Sequence, residues 1–260
     1  MEWHIYPVIV AVGIIAGFIN TLAGSGSLLT LPLLMFLGLP ASVANGTNRV
    51  AIFLQNVIAV TSFKSHKVFE FKEGIWLAVP ATIGSFIGAI IAVNFNEQIL
   101  TVFIGGLLVF MFFIILLNPE RWIKAQAGTI DGRPRVWRVV IFFLIGIYGG
   151  FIQAGVGFFL LAGLVLGVGA DLVKANALKV FIVLCYTAVA LTIFFINRQV
   201  DLKIGLILAA GNMIGAWIGS KTAVSWGPKF VRIVLLITIF LSAIKLLGII
   251  DLIPGSVASG

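Results

Sequence analysis

The sequence predicts an all-α polytopic membrane protein, with eight long transmembrane helices and two short broken or re-entrant segments arranged as two homologous, inverted repeats. Three observations predict it. Hydrophobic residues make up 61% of the 260-residue chain and charged residues only 10%, against roughly 25% charged in a soluble domain. The apolar residues fall in runs of about 20, the length a helix needs to cross the hydrocarbon core of a bilayer. The chain also matches itself when shifted by 131 residues. With a mean hydropathy of +1.19, most of this surface has to be solvated by lipid. Nothing is left over for a separate aqueous domain.

The long runs cover about 5–22, 44–63, 74–94, 98–117, 137–154, 175–196, 204–222 and 230–249. Two shorter stretches, 27–39 and 158–170, interrupt the series. Each follows a pair of glycines and ends in a turn, Gly38-Leu39-Pro40 in one and Gly169-Ala170-Asp171 in the other. The longest polar segment, 118–138, carries Arg121, Lys124, Arg133, Arg135 and Arg138. These boundaries divide the chain into a first transmembrane repeat (1–117), a cytoplasmic linker (118–136) and a second transmembrane repeat (137–260). The N-terminus lacks the basic region of a cleaved signal peptide, so the first run is expected to remain in the mature protein.

The repeat rests on polar and small residues, which composition alone does not align. Ala23-Gly24-Ser25-Gly26 falls on Ala154-Gly155-Val156-Gly157, Gly38 on Gly169, and Ala44-Asn45 on Ala175-Asn176. Gly84 and Gly88 fall on Gly215 and Gly219, all without a gap. Whether the halves are parallel or inverted depends on the short stretches. Thirteen residues of helix reach only about 20 Å, short of the roughly 30 Å core. If they re-enter, each half crosses four times and the halves are parallel. If they cross with help from their flanks, each half crosses five times and the halves are inverted. Charge favours inversion. With both termini outside, Lys64, Lys67, Lys72, the linker cations, Lys174, Lys221, Lys229 and Arg232 all lie inside, with Arg198 and Lys203 outside. That is the positive-inside distribution. It also accounts for the net charge of +8 without nucleic acid as a partner.

Candidate functional residues sit at equivalent places in the two halves. Gly24, Ser25, Gly26 and Ser27, with Gly155 and Gly157, precede the short segments. Paired glycine-interrupted helices in a membrane fold point to a binding site. A helix start leaves N–H groups without partners, and its dipole favours an anion. Packing or a simple turn is the bland alternative. A polar stripe follows each short segment. Asn45, Thr47, Asn48, Arg49, Gln55 and Asn56 form the first; Asn176, Lys179, Tyr186 and Thr187 form the second. A polar face on a membrane helix has to meet protein or water. Arg49 and Lys179 lie a turn or more inside their helices, where ionisable groups are costly and usually functional, unless they snorkel to the interface. Asn20 and Gln153 lie just before the glycine pairs and can reach the same place. Asn20, Thr47, Gln55, Gln153 and Tyr186 are therefore expected as a supporting layer. The spacings Gly84/Gly88 and Gly215/Gly219 suit close helix packing.

Enzyme motifs are absent. Neither histidine (His4, His66) belongs to an HExxH or a catalytic triad, the single cysteine is Cys185, and no P-loop occurs. No metal or cofactor is expected, nor does any carboxylate stand out in mid-span.

The Gly-x-Gly before a short apolar stretch, Leu31-Pro32-Leu33-Leu34, Gly38-Leu39-Pro40 and Ala44-Asn45-Gly46-Thr47-Asn48 together resemble the TauE/SafE sulfite-exporter family, over about Gly13 to Leu247. The chain departs from the glycine-richest form of the motif at Ser25, Ser27, Val156 and Phe158. The resemblance implies a multi-pass protein of the bacterial plasma (inner) membrane that moves sulfite, sulfonates or related small anions. The expectation is a secondary transporter working by alternating access, with the lipid bilayer and a small anion as its partners. Gly24, Ser25, Gly26, Ser27, Asn45, Asn48, Arg49, Gly155, Gly157, Asn176 and Lys179 would bind the anion. A passive anion channel, or a transporter of another small solute, is the alternative.

Overall fold

The computed structural model describes residues 3–68, 71–106 and 136–246, apart from the side chains of 71–73 and 227–246. Among the described residues every regular element is helical. In order these are α1 (Ile5–Ala23), α2 (Ser27–Phe36), α3 (Ala41–Ser65), α4 (Phe71–Val93), α5 (97–106), α6 (Val136–Phe151), α7 (Val156–Ala162), α8 (Leu172–Ile196) and α9 (Leu202–Leu246). A π-helical stretch, Gly163–Val168, continues α7.

The helix boundaries recur along the chain. The starts of α3 and α8 are 131 residues apart. So are the ends of α3 and α8. The backbone enters the left-handed region at Gly24 and Gly155, at Gly38 and Gly169, and at Lys67 and Arg198, with the same separation. Glycine suits the first two pairs because a left-handed residue costs it no Cβ clash.

Helix starts are capped locally or from a distance. The Asp171 carboxylate accepts from the Val173 and Lys174 amides at 2.9 and 3.1 Å, opening α8. The equivalent place before α3 is Pro40, which has no side-chain cap. There the Glu97 carboxylate of α5 accepts from the Ala41 and Ser42 amides instead. Asn96 caps α5 through the Gln98 amide at 2.9 Å.

Glycines set the packing of the outer helices. A Cβ on Gly88 would lie 2.0 Å from the Ile147 carbonyl, and one on Gly150 would lie 2.1 Å from that of Ser85. The backbones of α4 and α6 therefore touch. On the other side Gly17 meets Asn212, and Gly215 meets Ile14.

These contacts also fix directions. Val10, Ile14 and Phe18 of α1 meet Gly211, Gly215 and Gly219 of α9 in rising order, so the two helices run the same way. Contacts of Val50 with Gly205, Gln55 with Asn212 and Ser62 with Ser220 align α3 with them. In the same manner α4 runs with α6 (Gly84 on Phe143, Gly88 on Ile147) and with α8 (Gly74 on Leu178, Ser85 on Tyr186). The two groups run oppositely. The start of α3 meets the end of α8, Gly46 against Phe194, while Lys179 near the start of α8 meets the end of α1. Because α1 and α3 run the same way, the chain returns between them through residues 24–40. Ten residues of α2 supply about 15 Å of that return.

Some expected spans differ. Among the described residues four helices meet the length and apolarity of a span: Ile5–Ala23, Gly74–Val93, Leu172–Ile196 and Leu202–Trp226. The 25-residue α3 is long enough but carries the polar stripe. The described part of α6, Val136–Phe151, ends where the chain leaves the helix after Phe151. The run 98–117 lies partly outside the described residues, as does most of the linker. The runs 204–222 and 230–249 are not separated among the described residues: α9 passes from one into the other and is described to Leu246. In the first half, Asn96 caps a new helix after a break; the equivalent residue is Gly227, which has no capping side chain. Pro228 is accommodated within the helix, as prolines often are in membrane helices.

The lipid-facing surface is apolar. On α4, Ile75, Trp76, Val79, Ile83, Phe86 and Ile90 are all exposed. The polar stripes of α3 (Asn45 to Asn56) and α8 (Asn176 to Thr187) are buried in the protein.

Candidate functional site

Two helix ends inside the bundle create the site. Because α1 and α6 stop at glycine-rich turns within the protein, their last carbonyls lack helical partners. The dipoles of both helices concentrate negative charge there. Each end is met by a cation from the polar helix of the other half.

Arg49 of α3 meets the end of α6. Its Nη1 donates to the Gly149 carbonyl at 3.0 Å, and its Nη2 to the Gly150 carbonyl at 2.7 Å. Longer contacts reach Gln153 Oε1 at 3.4 Å and Asn45 Oδ1 at 3.3 Å. Asn45 donates to the next carbonyl, that of Phe151, at 2.8 Å. The guanidinium lies 4.6 Å from the Phe194 ring centre, a cation–π distance. Arg49 is fully buried, so it does not snorkel.

Lys179 of α8 meets the end of α1. Its ammonium donates to the Asn20 carbonyl at 2.9 Å, the Thr21 carbonyl at 2.8 Å and Asn176 Oδ1 at 2.7 Å. Three donors meet three acceptors. Lys179 is 2% exposed. Every partner described for the two cations is a neutral oxygen or a ring, and none is a carboxylate.

Between them lies a small cavity lined by Asn20, Gly24, Asn56, Gln153, Gly157, Lys179 and Val183. It has room for about one water molecule. Here the glycine turns meet: a Cβ on Gly157 would lie 2.2 Å from the Gly24 Cα. Gln153 joins the two cation sites, contacting Arg49 through its oxygen and donating to the Tyr186 hydroxyl at 2.9 Å. Asn56, level with the cavity, lies seven residues beyond Arg49, about 10 Å along α3.

Several buried polar atoms around this region lack a described partner, the acceptor Asn212 Oδ1 among them. Asn48 Nδ2, Arg49 Nε, Gln55 Nε2, Asn176 Nδ2 and the Ser25 and Thr187 hydroxyls are buried without a described partner. An unpaired buried donor costs about 1–3 kcal/mol.

Not every expected residue faces the cavity. Gly24 lines it, but its amide is used on the Asn20 carbonyl at 2.9 Å. Gly26 packs against Ala16 and Asn20. Ser25 and Ser27 are buried, with Ser27 beginning α2. Gly155 turns the chain into α7 at φ 73°. Asn48 Oδ1 accepts from the Thr30 hydroxyl at 2.7 Å. Gln55 Oε1 accepts from Asn20 at 3.2 Å and Asn212 at 3.1 Å. Thr47 is drawn elsewhere: its hydroxyl accepts from the Asp201 amide at 2.8 Å and fixes the start of α9. Sequence reasoning missed Thr30, Asn212 and the carbonyls of Gly149 and Gly150. Asn212 did carry a signal, as an amide in mid-run.

A bundle of apolar helices around buried cations and broken helix ends has the construction of a transport site. The family model for the sulfite exporters TauE/SafE matches residues 9–246. The chain belongs to the TauE/SafE family. Among its relatives, a protein of a Sinorhizobium species described as a probable membrane transporter is 28% identical, with 95% of this chain and 94% of the relative covered. A membrane transporter described in the same terms from Haemophilus influenzae is 24% identical, with 92% and 93% covered. The Escherichia coli protein YfcA, described likewise, is 26% identical over 91% of this chain and 87% of its own. No solved structure matches the chain. This TauE/SafE protein is thus a multi-pass membrane transporter.

Proposed function

We propose that the protein is a secondary transporter that moves a small oxyanion, sulfite or an organosulfonate or a similar sulfur anion, across the plasma membrane by alternating access. The carrying observation is the pair of buried cations, Arg49 and Lys179, whose partners among the described residues are neutral. An ion buried without a counter-charge is costly, and a bound anion would offset that cost. The unpartnered donors of Asn48, Gln55 and Asn176 suit the oxygens of such an anion. The sulfur in the name of the family model favours sulfur oxyanions within this class.

The same observations support inverted halves. Helices α1, α3 and α9 run opposite to α6, α8 and α4, which take the equivalent places in the repeat. On this reading residues 24–40 and 155–171 cross the membrane, which turns α3 to run with α1 and α8 to run with α6. Lys64, Lys67, Arg138, Lys174 and Lys221 then share the cytoplasmic side, and the cavity lies where the halves meet. Room for one water is too little for an oxyanion, so the halves have to part on one side to admit it.

The test is uptake by the purified protein in liposomes. Sulfite, thiosulfate, taurine and sulfoacetate should be tried, with Arg49→Ala and Lys179→Ala beside the wild type. Saturable exchange of at least one anion is expected, falling at least 100-fold in both variants. Unchanged flux in both variants would remove the cations from the site. Ohmic, unsaturable conductance would replace the carrier by a channel.

A further inference from the structure

We infer that Lys179 is the coupling group of this transporter: its side chain takes up a proton when the anion binds and releases it when the anion leaves. Anion and proton then move together, one proton per anion. The inference rests on the anion-site reading above.

The two cations differ in a way that the anion-site reading alone does not use. Arg49 is not among the residues lining the cavity, and a guanidinium does not lose its proton in proteins. Its charge is permanent and held on the α6 carbonyls. Lys179 lines the cavity, and a lysine deprotonates readily when buried. Without an anion, two unneutralised charges have to change their exposure as the halves rock, and a proton lost from Lys179 removes one of them. The step is R–NH3+ → R–NH2 + H+, with the proton leaving on the side where the anion leaves.

The surroundings accept both forms. In the charged form the ammonium uses all three protons, on the Asn20 and Thr21 carbonyls and on Asn176 Oδ1. A neutral amine keeps only two N–H bonds and gains a lone pair that needs a donor. The two carbonyls can only accept. Asn176 can do either: its Nδ2 is buried without a partner, and turning the amide over presents that N–H to the amine. The partner that changes with the proton is thus already beside it, one turn back along α8.

No other ionisable group competes at the cavity, where the remaining lining residues are Asn20, Gly24, Asn56, Gln153, Gly157 and Val183. Around it, α3 brings Arg49, which bonds to α6, and α6 brings Tyr148, which donates to the Ala154 carbonyl. On α8 itself, Tyr186 is bonded to Gln153 and Cys185 is half-buried. The end of α1 and the start of α7 present Asn20, Thr21, Val156 and Gly157, while α4 and α9 present Ser85 and Asn212.

The experiment uses the full-length protein in liposomes containing a trapped pH dye, with thiosulfate and sulfoacetate as probes, because neither changes charge between about pH 6 and 8. Labelled anion and internal pH are followed together. Wild type should carry about one proton per anion in net uptake and respond to an inward proton gradient. Lys179→Arg should still exchange anion for anion, more slowly, with a proton-to-anion ratio near zero and no response to the gradient. If K179R does not yield a monodisperse protein, Lys179→Gln is the second variant, and its residual flux must likewise carry no protons. A wild type that exchanges anions without moving protons would overturn the inference alone. So would protons still moving with anion in K179R or K179Q, or a folded K179R with no exchange. No exchange of either anion by wild type would overturn the anion site and this inference with it.

Discussion

The Arg49 and Lys179 corners are built to the same plan and finished differently. In both, a cation from the polar helix of one half closes the carboxyl end of the first helix of the other half. At the Arg49 corner the closure is rigid: two backbone carbonyls, an amide and an aromatic ring hold a planar group. At the Lys179 corner three oxygens hold a rotatable ammonium that also faces the cavity. The difference teaches that two equivalent corners can differ in geometry: both cations tie α3 or α8 to a helix of the opposite direction, Arg49 through a planar fork and Lys179 through a rotatable ammonium at the cavity wall.

Arg49→Ala should be the most damaging change. It leaves the Gly149 and Gly150 carbonyls buried without donors, and breaking one side of a buried charged network typically costs about 3–5 kcal/mol. Thermal denaturation in detergent should show a much lower Tm than for Lys179→Ala, with anion flux lost in both. Arg49→Lys should not restore stability, because an ammonium cannot span two carbonyls as the planar fork does. Equal Tm losses in R49A and K179A would break the contrast between the corners.

The next largest effect is expected at the meeting of the glycine turns. Gly157→Ala would place a methyl 2.2 Å from the Gly24 backbone, where nothing soft can yield. Gly38→Ala meets open space and suffers only from its positive φ of 90°, roughly 1–2 kcal/mol. G157A should therefore fold poorly or lose transport, while G38A should transport with a modest drop in Tm.

How much of this the sequence made legible depends on how far apart the partners are. Polar residues spaced along one helix face revealed the stripes on α3 and α8, because lipid forbids that face to look outward. The glycine pairs revealed the turns. The acceptors for Arg49 were hidden, since they are main-chain carbonyls 100 and 101 residues away and a carbonyl has no letter in a sequence. Thr47 misled because its stripe position matched the site residues, whereas its hydroxyl serves the Asp201 amide. The continuity of α9 was hidden too: Gly227-Pro228 resembles a break, and only the missing cap distinguishes it from Asn94-Phe95-Asn96.

A milder contrast lies in the outer helix pairs. Gly88 and Gly219 are equivalent in the repeat, but a Cβ would lie 2.0 Å from the Ile147 carbonyl at Gly88 and 3.1 Å from the Phe18 carbonyl at Gly219. Gly88→Ala should force α4 and α6 apart and lower Tm clearly. Gly219→Ala needs a shift of only a few tenths of an ångström and should lower it little. Equal effects would mean that the two helix pairs pack alike.

The smallest effects are expected at the helix starts, where the halves differ in where the cap comes from. Asp171 caps α8 from the adjoining turn, so Asp171→Ala should cost about 1 kcal/mol and act on α8 alone. Glu97 caps α3 from α5, across more than fifty residues of chain. Glu97→Ala removes a similar bond, but it also releases α5 from the start of the helix that carries Arg49. Hydrogen exchange of the backbone should separate the two cases. D171A should raise exchange only in the first turn of α8, whereas E97A should raise it in the first turns of both α3 and α5. If E97A changes α3 alone, the borrowed cap does not tie α5 to the polar helix, and the two caps differ only in their address.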